Sequence, residues 1–195
     1  MTSRKIDYFF DYVSAYSYLV NSQVEKIEGA EVQYRPMLLG AVMQATGNSP
    51  PGTVKPKGKY LITDLKRWAR RYGIPIRFNS IFPQNTMYAL RLAIAAQRRG
   101  VFHEIHQAFF DAMFVHDLDL SDRNVLVKII SDAGLDAVEL MQDIDTQSIK
   151  DELKNNTEEA IRRGAFGAPT FFVGDEMFFG NDRLEFIREA LEPED

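Results

Sequence analysis

The stretch Asp11-Tyr12-Val13-Ser14-Ala15-Tyr16-Ser17-Tyr18 decides how the chain is read. Before it, Ile6 to Phe10 is a short apolar and aromatic run with the character of a strand. After it, from about Ser17 to Lys26, the residues Leu19, Val20, Val24 and Ile27 recur at helical spacing. Ser14 therefore falls where a strand turns into a helix. The first N–H groups of such a helix lack intrahelical partners and carry the positive end of its macrodipole, so an anion held beside Ser14 is stabilised. A hydroxyl there can donate one hydrogen bond to it. The plainer role for Ser14 or Ser17 is an N-cap, which serine commonly fills.

Working outward, Glu31 to Met37 reads as a second strand, so the opening is a βαβ unit, expected to be parallel and right-handed. The segment from Gly40 to Lys59 holds Gly47-Asn48-Ser49-Pro50-Pro51-Gly52, Pro56 and Gly58, a density of glycine and proline that reads as a long loop. Lys55, Lys57 and Lys59 give it local positive charge suited to a carboxylate-bearing ligand, or simply a solvated face. From Tyr60 to about Gly164 the pattern is helical: Tyr60 to Tyr72, Thr86 to Arg99, two apolar stripes through Phe102–Met113 and Val125–Ala133, a capping-box start at Asp136–Glu139, and Thr146 to Arg163. Strands resume at Gly167–Val173 and Glu176–Phe179, joined by Gly174-Asp175 as a hairpin turn. Asn181 or Asp182 then offers a cap for a last helix carrying Leu184, Ile187 and Leu191. Pro169, at the start of a strand, suits a cis peptide bond in a tight turn; the carbonyl and N–H of Ala168 are then free of the sheet and available to a peptide-like ligand.

Composition narrows the function classes. With 195 residues and 45% hydrophobic content the chain can bury a real core, and a net charge of −5 argues against nucleic-acid binding. There is no cysteine, so disulfides, thiolate nucleophiles and cysteine metal sites are excluded. No apolar stretch approaches the ~18 residues that span a bilayer, and the N-terminus has no signal-like apolar region, which reads as cytoplasmic. His103-Glu104-Ile105-His106 is one residue short of the zinc motif H-E-x-x-H, and no G-x-S-x-G elbow surrounds any serine; neither a metal site nor a Ser-His-Asp hydrolase is expected.

The order strand, helix, strand, helical block, proline-led strand, strand, helix is similar to an α/β thioredoxin-like fold with an inserted all-helical domain, of the DsbA-like type. Residues 1–58 and 165–195 would form the thioredoxin-like domain and 59–164 the insertion. The motifs resemble those of 2-hydroxychromene-2-carboxylate isomerases and kappa-class glutathione transferases: Phe10 to Leu19, Gly47-Asn48, Lys57 to Tyr60, Asp64-Leu65-Lys66-Arg67-Trp68, Gly167-Ala168-Pro169-Thr170 and Gly180 to Leu184. One departure is Ala15, where the family usually has proline; proline suits a first helical position without being required there.

The resemblance implies the following. Ser14 occupies the place of the redox cysteine and holds glutathione as a thiolate. Ala168, before a cis Pro169, pairs with the cysteinyl backbone of glutathione, and Asn181 and Asp182 lie near its γ-glutamyl end. Asn48 contacts glutathione, and Lys57 and Asn85 contact a carboxylate substrate. Family members are homodimers acting on small unsaturated or aromatic acids. The activity implied is a glutathione-dependent cis/trans isomerisation in aromatic catabolism. The alternatives are a kappa-like transferase or peroxidase, and a non-catalytic binding protein using the same cleft.

Overall fold

A computed structural model describes residues 4–192; the part of the acidic tail beyond Glu192 lies outside them. Strand β1 (Arg4–Phe10) pairs parallel with β2 (Ala30–Pro36) and antiparallel with β3 (Thr170–Val173), which pairs with β4 (Glu176–Phe179), giving the order β2-β1-β3-β4. β1 is buried on both faces, which explains its unbroken apolar run. Ile6, Tyr8 and Phe10 join one core with Phe171, while Phe9 joins the other with Phe172, and each set has alternate residues of its strand. Tyr8 stacks on Phe171 at 4.7 Å between centroids, and Phe9 meets Phe172 edge-on at 5.7 Å.

The first core is completed by α1 (Ala15–Val24) and by helices from the block between β2 and β3: α3 (Lys55–Tyr72), α4 (Met87–Arg99), α5 (Phe102–Phe114), α6 (Arg123–Asp132), α7 (Ala137–Asp143) and the front of α8 (Gln147–Arg162). The second core lies under α2 (Leu39–Thr46) and the end of α8. Arg163 closes that side. It pairs with Asp7 at 2.7 Å, donates to the Gly174 carbonyl at 2.7 Å, and lies over the Phe172 ring at 3.8 Å.

Three expectations change. The segment 40–59 is not a loop: Leu39–Thr46 forms α2, closed by Gly47 at φ 69, and α3 begins at Lys55 with Pro56 in its first turn. Glycine density hid a helix because Gly47 is its left-handed C-cap, and proline in a first turn gives up an N–H that has no partner anyway. Lys57 and Lys59 are thus helical, and the domain boundary placed at residue 58 falls inside α3. Finally, α9 (Leu184–Ala190) begins at Arg183 without a side-chain cap, so neither Asn181 nor Asp182 caps it.

Candidate active site

Ser14 is the N-cap of α1. Its backbone is extended (φ −86, ψ 110), its Oγ accepts from the Ser17 N–H at 3.2 Å, and its N–H donates to the Asp11 carbonyl at 3.0 Å. The hydroxyl is 7% exposed and donates to the Ala168 carbonyl at 3.0 Å. Ala168–Pro169 is a cis peptide bond, as read from the sequence. The structure brings these two segments into direct contact and corrects one detail. The Ala168 carbonyl is taken by Ser14, and only the Ala168 N–H is without a hydrogen-bond partner among the described residues.

Around this centre, Asn48 Nδ2 donates to the Phe166 carbonyl at 2.8 Å, tying the α2–α3 connection to the segment before Pro169. The Phe166 ring stands 4.5 Å from Phe179, whose ring crowds Gly167: a Cβ there would lie 2.7 Å from it. Asn181 is buried, and its carbonyl accepts from the Tyr72 hydroxyl at 2.9 Å, so α3 fixes the turn that leads into α9. Asp182 is exposed and pairs with Arg183 at 2.6 Å. Gly180 needs its φ of 101, and a Cβ there would meet Asp182 Oδ1 at 2.9 Å.

Lys57 and Asn85 are exposed and are not brought to Ser14 by any hydrogen bond. Asn85 Oδ1 instead accepts from the Met87 N–H at the start of α4. A 680 Å³ depression runs along β4 and α9, lined by Met177, Phe178, Phe179, Arg183 and Phe186.

Residues to which the sequence reading assigned no role also frame the site. The Tyr16 hydroxyl donates to Asp64 Oδ2 at 2.8 Å, locking α1 to α3; burial first, then Asp64, pushes its phenol well above the usual range. Asp11 is buried at the end of β1, where burial raises its carboxyl while bonds from Thr86, Leu39 and Val13 oppose the rise. A carboxylate ending an aromatic strand was the available signal. His106 is buried and joined to Tyr12 and Asn21 at 2.9 Å each; burial, then His103, holds its pKa well below the ordinary value. His103 is exposed beside Glu25, so the two histidines of the near-zinc motif have different surroundings. Among the described residues no group of three His, Asp or Glu side chains gathers as a metal site, and no helix is long and apolar enough to cross a membrane.

A mixed four-stranded sheet with a helical insertion and a helix N-cap facing a cis-proline segment defines a thioredoxin-fold protein, and the chain belongs to the DSBA-like thioredoxin domain family, which matches residues 5–192. More particularly, it is 32% identical over 198 residues to 2-hydroxychromene-2-carboxylate isomerase of Sphingobium xenophagum, covering 97% of this chain and 98% of that one. It is 28% identical to human glutathione S-transferase kappa 1, covering 96% and 91%. A solved 2-hydroxychromene-2-carboxylate isomerase superposes with a TM-score of 0.86 at 28% identity, covering 96% and 94%. These relatives are enzymes.

Proposed function

We propose that the protein is a glutathione-dependent isomerase of unsaturated aromatic keto acids, with Ser14 as the residue that holds the thiolate. The observation that carries this reading is the buried Ser14 hydroxyl at the N-cap of α1, 3.0 Å from the Ala168 carbonyl, in a chain without cysteine. Reactive sulfur here has to come from a bound thiol.

The residues present fit glutathione. The Ala168 N–H is an unused donor on the bend that leads into β3, a group free to pair with a peptide backbone. Asn181, Asp182 and Asn48 flank that segment. Ser14 turns its hydroxyl from Ala168 to the sulfur, and the free N–H groups of α1 add the field of the helix end; both favour the anion. Bound glutathione supplies a nucleophile that adds to a conjugated double bond and leaves again, so that the bond is single long enough to rotate and no net oxidation occurs. Lys57, on the first turn of α3, provides charge for the substrate carboxylate. The reading includes a homodimer, checked by light scattering.

The test is calorimetric titration with reduced glutathione, with S-methylglutathione as comparison. Saturable binding that releases a proton only with the free thiol supports the reading, and no binding up to millimolar concentration refutes it. The similarity to human kappa transferase keeps one other reading in view, a transfer reaction at the same site. Product analysis separates them, since isomerisation returns glutathione whole and transfer leaves it on the product.

A further inference from the structure

The Asp11 side chain is 3% exposed and receives three donors. Oδ1 accepts from the Val13 N–H at 3.1 Å and from the Thr86 hydroxyl, and Oδ2 accepts from the Leu39 N–H at 2.9 Å. Each donor stands at the beginning of a different helix. Val13 precedes the N-cap of α1, Leu39 is the first residue of α2, and Thr86 is the N-cap of α4; neither Leu38 nor Thr86 caps its own helix with its side chain. One buried carboxylate thus gathers three helix starts, whose unpaired N–H groups and dipoles favour a negative charge. The same residue's carbonyl accepts from the Ser14 N–H, fixing the turn that presents the hydroxyl. None of the ion pairs among the described residues involves Asp11, so no cation neutralises it. The titratable neighbour that feels its charge is the buried Tyr12.

We propose that Asp11 is a positioning residue that holds the Ser14 turn and, through its charge, limits how strongly the site stabilises a bound thiolate. This rests on the glutathione reading. The α1 N-terminus and the Ser14 hydroxyl lower the thiol's pKa, whereas a carboxylate three residues away raises it. Such a counterweight suits a sulfur that must attack, because nucleophilicity falls as thiol pKa falls.

The experiment follows the ultraviolet absorbance of thiolate in bound glutathione against pH, for the wild type, Asp11→Asn and Thr86→Val. Asp11→Asn removes the charge and lowers the thiol pKa by about one unit, the order of shift that a single nearby carboxylate produces. Thr86→Val removes a hydrogen bond that stabilises the carboxylate, so Asp11 takes up a proton more readily and the thiol pKa falls, by less than in Asp11→Asn. A purely structural role raises the thiol pKa in both variants, by loosening the turn that presents the Ser14 hydroxyl. A lowered thiol pKa in both variants supports the proposal; raised or unmoved values overturn it while leaving the glutathione reading intact. If Asp11→Asn does not fold, a Thr86→Val pKa at or above the wild-type value overturns it alone. A wild type that forms no thiolate overturns the glutathione reading and this inference together.

Discussion

Replacing Ser14 with alanine separates a cap from a thiolate site, because the hydroxyl makes two bonds whose loss has a calculable size. It accepts from the Ser17 N–H at 3.2 Å and donates to the Ala168 carbonyl at 3.0 Å. Losing an N-cap costs about 1 kcal/mol, and leaving a buried carbonyl without its donor costs about another 1 kcal/mol. A total near 2 kcal/mol lowers the melting temperature of a chain this size by about 4–8 °C. That part of the effect follows from either role. With glutathione bound, the same hydroxyl donates to a charged sulfur, a bond worth about 1.5–3 kcal/mol, so its removal raises the bound thiol's pKa by about one to two units. Thermal unfolding gives the first quantity and thiolate absorbance against pH gives the second. A lowered melting temperature with an unmoved thiol pKa and unchanged turnover would refute the thiolate role and leave Ser14 as a cap.

Gly167→Ala places a Cβ 2.7 Å from the Phe179 ring, which is itself 39% exposed and able to swing out; the expected cost is about 1 kcal/mol, and it vanishes in a Phe179→Ala background. A cost that persists in that background would place the conflict elsewhere. Tyr72→Phe removes the donor to the Asn181 carbonyl and is expected to weaken glutathione binding several-fold in calorimetry with a stability change of about 1 kcal/mol, whereas unchanged affinity would remove the turn from the binding site. His106 gives a pH signature. Its folded pKa is depressed by burial, so below about 6.5 the unfolded chain takes up a proton that the folded chain refuses, and stability falls with falling pH by up to about 1.4 kcal/mol per unit. Chemical denaturation from pH 7 to 5.5 should show that slope in the wild type and less of it in His106→Asn; equal slopes would mean that the ring titrates in the fold.

The parts of the fold legible in the sequence are those carried by local pattern. Ile6 to Phe10 reads as a strand because both of its faces are buried, and Gly174-Asp175 between two short apolar runs reads as a hairpin. What was misread depends on a residue with two uses. Gly47 looks like loop composition and is a helix end; Asn181 looks like a cap and instead gives its carbonyl to Tyr72, 109 positions away. Asp11 is hardest of all to read, because its partner Thr86 lies 75 positions later and its other partners are backbone N–H groups, which leave no mark in a sequence.

That asymmetry bears on how the site works. Ser14 and the Ala168–Pro169 segment were legible as motifs, but a hydroxyl at a helix start is only as strong an anion site as the charges around it permit. Here Tyr12, in the turn, is joined to the buried, neutral His106, and Asp11 at the foot of the turn has three hydrogen-bond donors but no cation among the described residues. The field at Ser14 is therefore a difference between helix N–H groups that favour an anion and a carboxylate that opposes it. A chain sharing Ser14 but lacking Asp11 would hold its thiolate more tightly and attack with it more weakly. Two proteins with the same visible motif can differ in this way through a residue buried behind the turn.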